Sequence, residues 1–244
     1  MGAKRIPHEV AAAIGKCWPG GEVGEFDTDE SYFRDIHRRL ERDLRRIAGA
    51  SLLWQTEADE TRSSWDNDDW EDEPPPRRDF QSYHVFFLAP HGDEFQFEAE
   101  TESPEEPEDP EDDELTTATY AGKGWRGCIV GISLVAPVAV IILGDYSEFE
   151  DGSASTPDPE PSMFSPKTGQ PVDTTEYYRK ALGEKAFRKL ETLRQKTTAV
   201  LTKHHIRLLD HSILHLPVPA LKASEDLFLE KPLRVRDAFF FRGV

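Results

Sequence analysis

Apolar residues recur at intervals of three and four over residues 28–48, and this period predicts an amphipathic helix. The same period returns over residues 175–203, where a break is expected near Gly183. A shorter helix is expected over residues 8–17, ending before the sequence WPGG. The apolar side of the first long helix consists of Tyr32, Ile36, Leu40, Leu44 and Ile47.

Elsewhere the apolar residues alternate with polar ones or run without interruption, which is typical of strands. The runs YHVFFLA and FQFEAET are separated by HGDE and predict a hairpin, and CIVGISLVAP and VAVIIL predict the central strands. The expected fold is therefore α+β, a mainly antiparallel sheet of about five to seven strands with two main amphipathic helices packed on it, in a single domain over residues 1–244. The strand segments lie near residues 51, 84, 95, 117, 129, 138 and 234.

Three polar stretches interrupt this pattern and predict long loops. Two are acidic, at residues 57–79 and 102–114, and the third is rich in proline and serine, at residues 145–173. Their charge and proline content leave too few apolar side chains to contribute to a core. The loops should therefore cross the surface.

Charge is distributed very unevenly between these loops and the remainder of the chain. Residues 57–114 contain 23 Asp/Glu and 3 Lys/Arg, a local net charge of −20, while the whole chain has a formal charge of −18. The protein is thus a near-neutral body with a polyanionic insertion. Such an asymmetry bears on partners and solubility rather than on fold.

Two tryptophans in the first acidic loop need an explanation beyond solubility. They either anchor the loop on the body or serve as interface anchors within a charged rim. The second interpretation predicts that a basic protein surface is the partner, because clustered carboxylates steer such a surface into contact. The predicted partner-binding residues are Trp65, Asp66, Asp68, Asp69, Trp70, Glu71 and Asp72.

The arginine-rich side of the first long helix has two interpretations. It is a solvated face with local acid partners, or it is a docking surface for the acidic stretch of the same chain. The acidic loops themselves should not bind nucleic acid directly, because phosphates would be repelled. The arginines are Arg34, Arg38, Arg39, Arg42, Arg45 and Arg46.

One apolar run is long enough to raise the question of a membrane span. Residues 127–144 contain no charged side chain, but Pro137 interrupts their centre and their Val/Ile content favours two buried strands. A single-pass membrane protein is therefore only an alternative. Two cysteines outside any CxxC pattern, and no segment resembling a secretory signal, indicate a cytoplasmic protein.

Several short motifs resemble catalytic or cofactor sites but lack the required context. The sequence GKGWRG at 122–127 fits G-x-G-x-x-G, yet Pro137 follows too soon for a crossover helix, so a tight turn or bulge is expected instead. The sequence GISLV lacks the last glycine of a nucleophile elbow, which makes Ser133 an expected core residue. No cofactor is predicted.

Four histidines fall within twelve residues and form the best enzyme-like cluster. Imidazoles bind transition metals and serve in acid–base chemistry near neutral pH. In an extended segment two of the four would share a face, which leaves open a metal site, a catalytic role or a structural one. The candidate ligands are His204, His205, His211 and His215.

The sequence thus favours a non-enzymatic acidic binding protein, of the inhibitor or immunity type, that masks a basic protein surface. The second hypothesis is a hydrolase-like or metal-dependent enzyme built on the segment from His204 to His215. A third is intramolecular, with the acidic stretch covering one of the basic helices as a regulatory or solubilising element.

Overall fold

A computed structural model describes residues 5–24, 32–56, 80–104, 117–158, 174–224, 227, 229 and 231–243. Its helices are α1 His8–Cys17, α2 Tyr32–Arg45, α3 Thr175–Lys203 and the short α4 His211–Leu214. Its strands are β1 Glu22–Val23, β2 Ala50–Gln55, β3 Phe80–Gln81, β4 Tyr83–Pro90, β5 Gln96–Pro104, β6 Thr117–Ser133, β7 Val138–Phe149, β8 Arg207–Leu208, β9 Lys222–Ala223 and β10 Arg242–Gly243.

The main sheet has the order β2-β4-β6-β7-β8, and β5 pairs with the first half of β6. All of its pairings are antiparallel except that of β7 with β8. The predicted α+β class and mainly antiparallel sheet are therefore confirmed. The predicted hairpin is wrong, because β4 and β5 both pair with β6, one on each half of the same edge.

Strand β6 is the longest element of the sheet and contains the whole GKGWRG sequence. The turn or bulge predicted at 122–127 is therefore wrong. The glycines instead leave room for neighbouring atoms: a Cβ at Gly124 would collide with the ring of Phe97, and one at Gly127 with the backbone carbonyl of Leu88. Their role is close packing across the sheet rather than chain reversal.

One face of the sheet is covered by α2 and α3, and we call its buried interior the helical core. Phe33, Leu40 and Leu44 of α2 pack with Leu190 and Leu201 of α3. Both predicted long helices are confirmed within the described residues, and α3 has its expected break at Gly183, where φ is +74°. The helical period thus identified this layer correctly.

The opposite face is covered by α1 and by the C-terminal residues, and we call its interior the C-terminal core. Phe239, Phe240 and Phe241 are buried here. They belong to the run PLRVRDAFFF, for which a strand was predicted near residue 234, and that prediction is wrong. This segment makes one isolated bridge and a 3-10 turn at Arg236–Ala238, and it enters no strand of the main sheet. A run of large apolar side chains is therefore buried without a ladder of its own.

The C-terminal segment is held in place by hydrogen bonds with Trp18 and Ser82, which are not part of a β-ladder with it. The indole Nε1 of Trp18 donates to the carbonyl of Ala238 at 2.9 Å. The amide of Ser82 donates to the carbonyl of Phe241 at 2.9 Å, and the Phe241 amide donates to the Ser82 hydroxyl at 2.7 Å. These bonds satisfy buried backbone groups that a strand would pair with its neighbour.

Strand β4 lies between the two cores and is buried along its full length. Phe86 and Leu88 face the helical core, while Val85 and Phe87 face the C-terminal core. An uninterrupted apolar run is what a strand covered on both faces requires. The sheet is therefore the middle of three layers.

The apolar run at 127–144 consists of the end of β6, a short connection and the first part of β7. The expected pair of strands is thus confirmed for this run. No helix within the described part of the chain combines the length and the apolar character needed to cross a membrane.

Two of the predicted loop boundaries are wrong. Strand β7 continues through Asp145 to Phe149, so the loop predicted at 145–173 begins later. Strand β5 includes residues 102–104, so the second acidic loop also begins later than residue 102. The remainder of that loop and all of residues 57–79 lie outside the described residues.

Candidate functional site

The predicted partner-binding residues Trp65, Asp66, Asp68, Asp69, Trp70, Glu71 and Asp72 lie outside the described residues, but the structure defines the two ends of their segment. At one end, the Thr56 amide donates to the Val85 carbonyl and the Val85 amide donates to the Thr56 hydroxyl, both at 3.0 Å. At the other end, Ser82 is fully buried and bonded to the C-terminal segment. The described residues that flank this segment are therefore held in place, Thr56 by β4 and Ser82 by the C-terminal segment.

The second acidic segment starts from a different part of the sheet. Pro104 of β5 pairs with Thr117 at the beginning of β6, whereas Val85, next to the first segment, pairs with Gly131 near the end of β6. At roughly 3.3 Å per residue, these two points are about 45 Å apart along β6. The two acidic segments thus leave the body near opposite ends of its longest strand.

The exposed sides of α2 and α3 form one basic layer over the helical core, which we call the cationic face. The six arginines between residues 34 and 46 are all exposed, as are the eight Lys/Arg side chains of α3. The two helices together contain thirteen Lys/Arg and six Asp/Glu. The face consists of Arg34, Arg38, Arg39, Arg42, Arg45, Arg46, Arg179, Lys180, Lys185, Arg188, Lys189, Arg194, Lys196 and Lys203.

Acidic side chains within the helices neutralise only part of this face. Arg45 pairs with Glu41 at 2.8 Å and Arg194 with Glu191 at 2.9 Å, both within one helical turn. Arg38, Arg42 and Lys185 have no carboxylate within ion-pair distance among the described residues. Exposed pairs of this kind contribute little stability, so the main effect of the face is its positive potential.

One carboxylate connects the ends of α2 and α3. Asp43 Oδ2 accepts hydrogen bonds from Lys203 Nζ at 2.7 Å and from His204 Nε2 at 2.9 Å. The bond from Lys203, followed by that from His204, lowers the pKa of Asp43 to about 2. His204 is thereby part of a hydrogen-bonded cluster, with Asp43 and Lys203, that joins the two helices.

The structure separates the four candidate histidines into two pairs. Ile206 belongs to the helical core and Leu209 to the C-terminal core, so the chain passes around the sheet edge at β8. His204 and His205 precede this crossing, and His211 and His215 follow it. No three His, Cys, Asp or Glu side chains of the described ranges are grouped so that they could hold one metal ion.

His211 and His215 do come together, with ring centroids 5.3 Å apart. Neither ring nitrogen of His215 has a hydrogen-bond partner among the described residues. Burial, with smaller contributions from His211, Arg236 and Arg234, lowers the pKa of His215 to about 4. A neutral imidazole beside two arginines is a poor location for a metal cation, because the nearby charges are positive.

A second histidine pair, which the sequence analysis missed, lies between α2 and β4. The rings of His37 and His84 are 4.7 Å apart, and Phe33 and Phe86 enclose them. Burial, followed by the influence of His37, lowers the pKa of His84 to about 3. The sequence signal was present: His37 follows Phe33 by one turn, and His84 interrupts an otherwise apolar strand.

Two candidate nucleophiles in β6, Cys128 and Ser133, are buried in the sheet. Burial raises the pKa of Cys128 to about 12, so its thiol stays protonated. Ser133 is fully buried in β6, which confirms it as a core residue. Asp145, at the far end of the uncharged run, accepts a hydrogen bond from the Tyr178 hydroxyl at 3.0 Å.

Comparisons of this chain with models of protein families, with curated proteins and with solved structures found no match.

Proposed function

We propose that this protein is a non-enzymatic binding protein whose first acidic segment, residues 57–79, engages a basic protein surface as an inhibitor or immunity-type protein would. The observation that carries the proposal is the segregation of charge: residues 57–114 have a net charge of −20 in a chain whose total is −18. Trp65 and Trp70 lie among these acids. Buried aromatic anchors within a charged rim are typical of binding hot spots.

The anchoring of this segment supports the proposal. On one side of it Thr56 is bonded to β4, which is covered on both faces, and on the other Ser82 is bonded to the C-terminal segment. A loop whose ends are held by a rigid core loses less conformational entropy on binding than a free tail does. The residues that flank the second acidic segment, Pro104 and Thr117, are paired as well, so the feature that favours the first segment for a defined contact is its two tryptophans, Trp65 and Trp70.

The cationic face helps to orient a basic partner as it approaches. A basic partner is repelled by the exposed Lys/Arg side chains of α2 and α3 and attracted by the acidic segments. Complementary charge of this kind raises association rates and suppresses wrong orientations. The second acidic segment, which contains no aromatic residue, serves for steering and solubility.

The tryptophans provide the test of this proposal. Wild type and the double variant Trp65→Ala/Trp70→Ala are used to capture proteins from native lysate at about 150 mM salt. The matched control is Tyr177→Ala, which removes an aromatic ring that is 45% exposed on α3. We expect a basic protein to be retained by wild type and by the control and lost from the double variant. Equal retention by all three would refute the role of the tryptophans.

A further inference from the structure

A cavity of about 310 Å³ opens between α3 and the edge of the sheet where β2 begins and β4 ends. Leu193 and Pro90 provide its apolar floor, and its polar lining comes from His91, Lys189, Thr192 and Lys196. This volume lies at the lower end of the range of roughly 300–1,000 Å³ that is typical of small-molecule sites. The cavity is thus large enough for a small organic ligand.

Local sequence explains why the cavity forms. Gly49 has φ of +84°, a conformation that suits glycine, and it turns the chain from α2 into β2. The His91 amide donates to the Gly49 carbonyl at 2.9 Å, which fixes the rim on the sheet side. On the opposite wall, Lys189 and Lys196 are seven residues apart and therefore lie on the same side of α3.

The two lysines differ in how their charge is compensated. Lys189 Nζ pairs with Glu94 Oε1 at 2.6 Å, and this hydrogen bond is the main reason that the pKa of Glu94 is lowered. Lys196 Nζ donates to the backbone carbonyl of Ala48 at 2.7 Å and has no carboxylate partner among the described residues. An ammonium group has three donors, so Lys196 keeps two for a ligand.

We propose that this cavity binds a small organic anion, with its carboxylate or phosphate group at Lys196 and its apolar body against Leu193 and Pro90. Lys189, which also lines the cavity, is paired with Glu94 and therefore adds little net charge. The remaining positive charge of Lys196 selects for an anion, and the floor selects for an apolar body. This inference is independent of any partner of the acidic segments.

Benzoate, phenyl phosphate and uncharged benzamide are suitable probes, because they share a ring and differ in the charged group. Each is titrated into the full-length protein at low salt, and amide shifts are followed by NMR. We expect saturable amide shifts at residues 48–50, 91 and 189–196 with benzoate or phenyl phosphate, and the tighter of the two identifies the preferred group. Benzamide should produce no saturable shifts.

Charge-matched variants locate the binding site. Lys196→Gln removes the charge while its amide can still donate to Ala48, and it should weaken binding by about tenfold. Lys189→Gln tests the same cavity at a second lining residue and should also weaken binding, because it leaves Glu94 unpaired. Lys180→Gln, on the same helix but outside the cavity, should have no effect. The proposal is overturned if neither anion saturates, if benzamide binds equally well, or if Lys180→Gln matches Lys196→Gln.

Discussion

The two faces of the sheet bury comparable sets of apolar side chains but cover them in different ways. The helical core is closed by two long amphipathic helices, which also display the cationic face. The C-terminal core is closed by the ten-residue α1 and by a largely irregular segment that ends the chain. The difference teaches that a core layer needs satisfied backbone groups and apolar volume, but not a periodic element.

The largest expected effects test whether the irregular layer is as much a core as the helical one. Phe239 faces the C-terminal core and Phe86 the helical core, and both are fully buried. Truncating either to alanine should lower the free energy of unfolding by about 3–5 kcal/mol, measured by urea denaturation. The exposed control Tyr177→Ala should stay within about 0.5 kcal/mol of wild type. A cost below about 1 kcal/mol for Phe239→Ala would make the C-terminal segment a peripheral tail.

Each face of the sheet also contains a histidine that the fold keeps neutral. Both should make the free energy of unfolding depend on pH below 6.5. The pKa of His84 is about 3 in the fold, against an ordinary value of 6.5 in the unfolded chain. Below pH 6.5 the unfolded chain takes up a proton that the fold excludes, so stability falls by up to about 1.4 kcal/mol per pH unit until the pH approaches 3. His84→Phe should flatten this part of the curve of unfolding free energy against pH.

His215 provides the same test on the C-terminal face. Its pKa in the fold is about 4, so it makes the free energy of unfolding fall only between pH 6.5 and pH 4. This range is narrower than the range expected for His84. His215→Phe should therefore flatten a narrower part of the curve. Identical curves for wild type and both variants would show that neither imidazole is kept neutral by the fold.

Two glycine substitutions should have opposite signs. Gly127→Ala places a Cβ against the Leu88 carbonyl in the middle of the sheet, and should destabilise by about 1–3 kcal/mol. Gly15→Ala, in α1 with open space around it, should stabilise by roughly 0.5–1 kcal/mol because alanine favours the helix. Thermal unfolding of both variants measures the difference. A neutral Gly127→Ala would contradict the packing role of the β6 glycines.

The smallest effect concerns the ion pair between the helices. The pKa of Asp43 is about 2, below its ordinary value of 3.8, so its stabilising contribution is present above pH 4 and is lost as the pH falls towards 2. Asp43→Asn should be less stable than wild type at pH 7, and the difference should shrink steadily as the pH falls from 4 to 2. A constant difference across this range would show that the pairing with Lys203 and His204 does not stabilise the fold.

The two faces of the sheet also differ in how well their covering layers could be predicted from the sequence. Helices α2 and α3 could be predicted because burial of one side of a helix places apolar residues at intervals of three and four in the sequence. The C-terminal run PLRVRDAFFF has strand-like composition, but its hydrogen bonds go to Trp18 and Ser82, which are distant in sequence. Only the tertiary structure reveals such partners, and the strand prediction there was wrong.

For a similar reason, some of the candidate sites could be predicted from the sequence and others could not. The acidic residues form a local run and are visible in composition, whereas Lys196 and the Ala48 carbonyl meet across 148 positions of sequence. The histidine cluster appeared contiguous because sequence distance conceals the passage around the sheet edge at β8. Gly124 and Gly127 fitted a phosphate-binding motif, while their role depends on side chains of neighbouring strands.

The central claim is that the two acidic segments have different tasks, and two variants with equal charge change test it. One is Asp66→Asn/Asp68→Asn/Asp69→Asn/Asp72→Asn, and the other is Glu105→Gln/Glu106→Gln/Glu108→Gln/Asp109→Asn. The measurement is the association and dissociation rate of each with the captured basic partner, at about 50 and 150 mM salt.

We predict that the first variant binds at least about tenfold more weakly at both salt concentrations, mainly through faster dissociation, because it loses contacts in the complex. The second should only associate more slowly, with its dissociation rate unchanged and the difference shrinking at the higher salt concentration. Equal changes in the dissociation rate of both variants, or a larger change in the second, would contradict the account.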